Sequence, residues 1–168
     1  MSEGIAQLIF TNQDKKTVTK QVFVSDDILT DFVNLIDIHK DDTIVQCLEK
    51  LLSKMDLPQE ATKLDKLAGV YSQRLFKINK HNCRNQVGLF IFLYSLFMLH
   101  EDLINSSSVK MSVKDFIRSS QTIDDNEEFS KEYLTKVYED MVNLYSKPQD
   151  AIFETFVEFE QVQRCVIC

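Results

Sequence analysis

The chain has 168 residues, enough for one domain with a sizeable core, and its 44% apolar and 27% charged residues are typical of a soluble globular protein. Three glycines and two prolines are few for the many turns of an all-β fold, so a helical protein is favoured. The net charge of −7 argues against a nucleic-acid surface, which needs clustered lysines and arginines, but leaves a basic protein partner open.

The first part of the chain predicts a series of short helices. Ser2 is expected to cap a first helix, residues 14 to 23 form a weaker second one, and a third follows Ser25. A fourth helix begins near Asp42 and ends before Pro58, because the residue preceding a proline is pushed out of the helical region.

A fifth helix is predicted from Pro58 to Phe76, with Glu60 in its first turn. Pro58 fits the first helical position because its missing N–H would have no partner there. Glu60 then faces unpaired N–H groups and the positive end of the helix dipole, a gain of about 0.3–1 kcal/mol. Since such helix starts are common, this segment alone favours a structural role for Glu60 over a catalytic one.

The sixth helix, predicted over residues 85 to 103, contains the apolar run from Leu89 to Leu99. This run is too short to span a bilayer, which needs about 20 residues, so we interpret it as a helix buried at the centre of a helical domain. Polar residues return at His100. The helix end there either meets water or forms one side of a groove beside the fifth helix, and the segment alone favours the first reading.

The remaining chain predicts a polar connector at residues 106 to 108 and two further helices, capped by Ser112 and Ser130. A last helix opens at Pro148. The four cysteines lack the spacing of a disulfide framework or of a complete metal site, and the start of the chain lacks the pattern of a signal peptide. We therefore expect no metal and a reducing, cytoplasmic location.

Three stretches in order carry a family resemblance: LPQEATKLDKLAGVYSQRL, then FLYSLFMLHEDLIN, then KDFIRSSQTIDDNEEFSKEYLTKVYEDM. They resemble the Sec-seven domain of Arf guanine-nucleotide exchange factors, cytohesin type. The first family motif reads roughly F-R-L-P-G-E-A-Q-K-I-D, and it is matched by Leu57, Pro58, Glu60, Ala61, Lys63 and Asp65. The second reads I-M-L-N-T-D-L-H-N-P-N, and it is matched by Met98, Leu99, Asp102, Leu103 and Asn105.

The resemblance covers about residues 5 to 146 and lacks the opening helix that the family usually has. It implies an all-α fold: a single compact domain of about eight to nine short-to-medium helices over residues 1–146. A C-terminal helical tail over residues 147–168 follows that domain.

The resemblance also implies a function: release of GDP from small GTPases of the Arf class, with no covalent chemistry and no cofactor. Glu60 matches the glutamate that the family presents to the β-phosphate and Mg²⁺ of the nucleotide. Two unit negative charges 4 Å apart repel by about 4 kcal/mol at an effective dielectric constant near 20, which would weaken nucleotide binding. The residues expected to bind the GTPase are Pro58, Gln59, Met98, Leu99, Asp102 and Asn105.

Several positions depart from the family pattern. Gln59 replaces a glycine, His100 and Glu101 replace an Asn-Thr pair, and Ile104 replaces a histidine. These changes keep two alternatives open. One is a non-catalytic Sec-seven-like module that binds a small GTPase or another partner without exchange, and the other is a generic helical adaptor with no GTPase partner.

The chain ends with the sequence Cys165-Val166-Ile167-Cys168, which has the C-a-a-X form of a prenylation site. Chance is an equally good explanation, because cysteine is not a usual final residue. If Cys165 is lipidated, the expected location is the cytoplasmic surface of Golgi, endosomal or plasma membrane, and the single chain gives only marginal binding.

Overall fold

A computed structural model of the chain describes residues 2–105, 110–121 and 129–145. These residues form eight helices and no strand, which confirms the all-α prediction. The helices are α1 (Ser2–Phe10), α2 (Lys15–Val22), α3 (Asp26–Asn34), α4 (Ile44–Leu52), α5 (Ala61–Ile78), α6 (Gln86–Ile104), α7 (Val113–Gln121) and α8 (131–145). The predicted connector at 106–108, the helix from Pro148 and the tail over 147–168 lie outside the described residues.

Helix starts follow local capping chemistry where a serine precedes the helix. The Ser25 hydroxyl accepts a hydrogen bond from the Ile28 N–H at 3.1 Å, and Ser130 does the same for α8. Two predicted starts are corrected. The fourth helix, predicted to begin near Asp42, begins at Ile44 after its N-cap Thr43, and Ser2 lies inside α1, where its hydroxyl bonds the carboxylate of Asp31.

The start of α5 differs from the prediction in a way that matters for function. The helix begins at Ala61 rather than Pro58, and Glu60 is its N-cap residue, with an extended backbone at φ −76° and ψ 127°. The segment before it is held to α2, because the Thr19 hydroxyl donates to the Asp56 carbonyl at 2.7 Å. This tertiary contact fixes the approach of the chain and keeps Pro58 outside the helix.

The core is organised around α6. Its buried residues include Phe92, Leu96 and Phe97, all fully enclosed, as predicted for the central apolar helix. By length and composition alone α6 could also cross a membrane, although 44% of its most apolar stretch is buried inside the fold. Burial on several sides of the helix explains why its sequence shows no narrow apolar stripe.

Helices α5 and α6 form an antiparallel hairpin. They pack along their length, and a Cβ built on Gly69 would lie 3.9 Å from the ring of Phe90. The short connection turns at His81 and Asn82, whose φ angles are 50° and 64°. This geometry places the first turn of α5 at the same end of the hairpin as the last turns of α6, so the two motifs that are distant in sequence become neighbours.

Candidate functional site

A groove of about 590 Å³ lies where the segment before α5 meets the end of α6. We call it the motif groove. Asp56, Leu57 and Gln59 line one side, and His100, Glu101 and Ile104 of α6 line the other. The structure therefore brings the two motif segments together, as the hairpin geometry requires.

Glu60 directly follows the groove residue Gln59 and is an accessible acid at the start of α5, although it does not itself line the motif groove. Its side chain is 67% exposed and makes no capping hydrogen bond to the N–H groups of α5. Its carboxylate is paired with the ammonium group of Lys63, 3.3 Å away and itself 40% exposed. An exposed ion pair of this kind contributes little free energy, so the carboxylate can exchange Lys63 for another partner at small cost.

Four of the residues predicted to bind a GTPase have accessible side chains. Gln59 is exposed in the wall of the motif groove, and Met98 is 48% exposed on α6. Asp102 is half-buried in the last turns of α6, and Asn105 is the exposed residue that ends the helix. All four therefore keep solvent-accessible surface in the fold.

The other two residues predicted to bind a GTPase have buried side chains in this structure. Leu99 is fully buried, because it points about 100° around the helix from Met98 and into the core. Pro58 is also buried, in the segment that leads into α5. Both residues shape the site from below and offer no surface to a partner.

A partly exposed apolar stripe on α6 was missed by the sequence interpretation. It consists of Val87, Ile91, Tyr94 and Met98, with Val87 64% exposed. The i, i+4, i+7, i+11 spacing places these side chains on one face. The spacing can be read from the sequence, but the exposed face cannot be told apart from the buried faces, because α6 is apolar on every side. We call this face the α6 stripe; the helical repeat continues it to Asp102 and Asn105.

The far wall of the motif groove comes from α8. Tyr145 lines it and its hydroxyl is hydrogen bonded to Nδ1 of His100. Burial lowers the pKa of His100, against a smaller opposing effect of Asp56. Burial, with a smaller contribution from Glu101, raises the pKa of Tyr145 to about 12. Near neutral pH this pair is therefore uncharged, and the ionisable side chains that line the groove beside it are Lys15, Glu49, Asp56 and Glu101.

Cys165, the predicted lipidation residue, lies outside the described residues. Cys47 and Cys83 are both buried. Burial raises the pKa of Cys47 to about 12, so its thiol stays protonated at neutral pH and is a poor nucleophile.

The fold and the motif groove together define a helical domain with an accessible acid at a helix start. The family model described as the Sec7 domain matches residues 2–144. The chain therefore belongs to the Sec7 domain family, the Sec-seven domain expected from its motifs.

Solved structures agree on the fold. The Sec7p catalytic domain superimposes with a TM-score of 0.75 at 24% sequence identity, covering 84% of this chain and 80% of that chain. A chain of the structure described as ARF1-GDP bound to a Sec7 domain complexed with Brefeldin A gives a TM-score of 0.71 at 22% identity, covering 84% of this chain and 75% of that chain.

Curated relatives are large exchange factors. The ADP-ribosylation factor guanine nucleotide-exchange factor sec71 of Schizosaccharomyces pombe is 34% identical over 99 residues, 58% of this chain. The Brefeldin A-inhibited guanine nucleotide-exchange protein 1 of Arabidopsis thaliana is 33% identical over 87 residues, 51% of this chain. The matched region spans about 5% of the length of each relative. The cytohesin subtype stays a prediction.

Proposed function

We propose that this chain promotes GDP release from a small GTPase of the Arf class, with Glu60 directed at the nucleotide phosphates and their Mg²⁺. The observation that carries the proposal is the exposed carboxylate of Glu60 at the start of α5, which makes no hydrogen bond to the N–H groups of that helix. It stands beside a groove built from both family motifs, in a domain whose relatives are named as ADP-ribosylation factor exchange factors.

The role of Glu60 follows from where its charge is held. The N-cap backbone of Glu60 is fixed between α5 and the segment that Thr19 pins to α2, so the carboxylate has a rigid mount. Brought near a phosphate in a partly dry interface, it opposes phosphate binding by up to about 4 kcal/mol. It can also exchange Lys63 for a basic group of the GTPase, which would compensate the charge that the nucleotide leaves behind.

Docking is assigned to the α6 stripe together with the exposed residues at the end of the helix. Tyr94 and Met98 supply apolar surface, while Asp102 and Asn105 supply polar groups on the same face. An apolar centre with a polar rim is the usual anatomy of a protein interface, and it would bring the nucleotide site of the GTPase toward Glu60.

The proposal is tested by fluorescent-GDP release from a panel of Arf-class GTPases. We expect the parent protein to accelerate release and Glu60→Lys to lose at least about 100-fold of that acceleration, since the substitution reverses the charge facing the phosphates and each 1.4 kcal/mol changes a rate tenfold. Glu139→Lys, at an exposed position of α8, is the matched control and should keep the parental rate. Equal rates for the parent and Glu60→Lys would refute the proposal.

A non-catalytic binding module is the second candidate, favoured by the side chain of Gln59 and the extra charge of Glu101 in the groove wall. It predicts that the parent protein binds a GTPase without accelerating release. Absence of any binding would leave only the helical adaptor.

Membrane attachment through Cys165 and a cytoplasmic location are further proposals, supported by the C-a-a-X sequence alone. Mass spectrometry of the protein expressed in a eukaryotic host tests them, and an unmodified Cys165 would argue against prenylation.

A further inference from the structure

The end of α6 is held by one lysine from the following segment. The Lys110 ammonium group donates to the main-chain carbonyls of Asp102 at 2.5 Å and Leu103 at 3.2 Å, and to that of Asn105. The last carbonyls of a helix have no partner within the helix and carry the negative end of its dipole. Lys110 therefore supplies hydrogen bonds to carbonyls at the end of α6 and a positive charge that compensates the negative end of the helix dipole.

A second set of bonds ties the same segment to the rest of the domain. The N–H of Met111 donates to the Asp102 carboxylate at 2.6 Å. The carbonyl of Met111 accepts from the Tyr138 hydroxyl of α8, also at 2.6 Å. The Lys110 backbone is thus fixed by its neighbour to both α6 and α8, so its ammonium group reaches the helix end from an anchored position.

Asn105 is the residue whose direction depends on this clamp. It ends α6 with φ −84° and ψ 106°, so the main chain leaves the helix there, and its side chain is exposed. The N–H of Asn105 donates to the Glu101 carbonyl within the helix at 3.1 Å. The carbonyl of Asn105 accepts from the Lys110 ammonium group. The orientation of the Asn105 side chain follows from a peptide that Lys110 holds.

We propose that Lys110 is a positioning residue, which sets Asn105 at the polar end of the docking face for the GTPase. The inference depends on the proposed function, which supplies the GTPase as partner. Its geometric basis is the set of three hydrogen bonds from Lys110 to main-chain carbonyls. An ammonium group has three donors on one nitrogen, which suits three carbonyls that converge on one point, whereas an arginine spreads its donors over separate nitrogens. Lys110 itself touches no nucleotide.

The first test compares Lys110→Met with Lys114→Met in the full chain. Lys114 is exposed in the first turn of α7, so its substitution removes the same charge without touching the helix end. We expect Lys110→Met to lower kcat/KM for GDP release about 5- to 10-fold, mainly through a higher KM, and Lys114→Met to stay within twofold of the parent. Lys110→Arg should recover only part of the loss, because it restores charge without the geometry.

The second test asks whether Lys110 acts through Asn105. In an Asn105→Ala background, Lys110→Met should change kcat/KM by less than about twofold, since the side chain that it positions is gone. A full 5- to 10-fold loss in that background would show that Lys110 serves the fold generally, and it would overturn the proposal. So would equal rates for Lys110→Met and Lys114→Met.

A measurement without a GTPase separates this proposal from the proposed function. Amide hydrogen exchange, followed by mass spectrometry, should be faster at residues 102–105 in Lys110→Met than in the parent and Lys114→Met. Unchanged protection there would refute the clamp whatever the activity. Faster exchange with unchanged kinetics would refute the positioning role, while an inactive parent protein would refute the proposed function.

Discussion

Exposure differs sharply between neighbouring residues of the site. Met98 is 48% exposed and Leu99 is fully buried, and the same contrast separates exposed Gln59 from buried Pro58. Met98 and Leu99 differ because consecutive residues of a helix point about 100° apart, whereas Pro58 and Gln59 lie in the non-helical segment before α5. Each motif thus combines buried residues that stabilise the local structure with exposed residues that a partner can contact.

Gln59 offers the clearest single-residue prediction. Among the described residues only His81 and Asn82 have a positive φ without being glycine, so the backbone at residue 59 does not need glycine's freedom. If its side chain crowds the partner, Gln59→Gly should raise kcat/KM for GDP release about 3- to 10-fold, with a loss of about 0.5–1 kcal/mol in the free energy of unfolding.

Gln59→Ala is the control that separates crowding from flexibility. It removes most of the side chain and keeps an ordinary backbone, so it should recover most of the gain in kcat/KM. Improvement by glycine alone would mean that backbone freedom, and not space, limits the parent protein.

At the scale of helices, the sequence predicts a helix start well only where the capping residue is local. The caps at Ser25 and Ser130 are local in sequence and were predictable from it. The start of α5 was not, since Thr19 of α2 determines how the chain approaches it. Contacts of this kind join residues far apart in sequence, and their strength depends on a geometry that periodicity does not contain.

Charged side chains that close helix ends show the same limit. Arg74 of α5 donates to the carbonyls of Val33 and Ile36 at 3.2 and 2.6 Å, and so closes the end of α3. Lys110 closes α6 in the same way. Each cation looks like an ordinary surface charge in the sequence, because its partners are backbone atoms with no sequence signal of their own.

The α6 stripe makes a prediction for a whole helix face. Met98→Asp places a charge in the proposed docking surface, and it should raise the KM for the GTPase at least about 10-fold with little change in the free energy of unfolding. Leu8→Asp is the matched control, because Leu8 is 74% exposed on α1, a helix outside the proposed docking surface. GDP-release kinetics and urea unfolding of both variants check this. Equal KM values would remove the α6 stripe from the docking surface.

For the molecule as a whole, the sequence predicted the fold class and two walls of the site. Motif order together with the α5–α6 hairpin brings Gln59 close to His100. The third wall could not be predicted, since Tyr145 and Lys15 arrive from α8 and α2 through packing between distant segments. Local pattern can specify a hairpin, but the packing of a third and fourth helix against it depends on side-chain shapes across the core.

One buried and one half-buried histidine should make the stability of the whole domain depend on pH. Burial lowers the pKa of His81, which is 7% exposed, and of His100, in each case against a smaller opposing charge effect. The unfolded chain, with a histidine pKa near 6.5, then binds protons that the folded chain refuses. The stability that this difference in proton binding provides is fully present above about pH 6.5. It is lost as the pH falls from about 6.5 toward the lowered pKa values of the two histidines in the folded chain. Its slope is at most about 1.4 kcal/mol per pH unit for each histidine.

Urea unfolding at pH 7.5, 6.5 and 5.5 measures this dependence. We expect a lower free energy of unfolding at pH 5.5, and a shallower fall in His81→Gln because one of the two suppressed protonations is gone. His39→Gln, at an exposed position, is the control and should fall like the parent. Carboxylates with a lowered pKa, such as Asp42, act only nearer pH 4 and do not enter this range. Stability that is flat or rising toward pH 5.5 would mean that both rings accept protons in the folded domain, which the burial of His81 against the Cys47 thiol at 4.0 Å opposes.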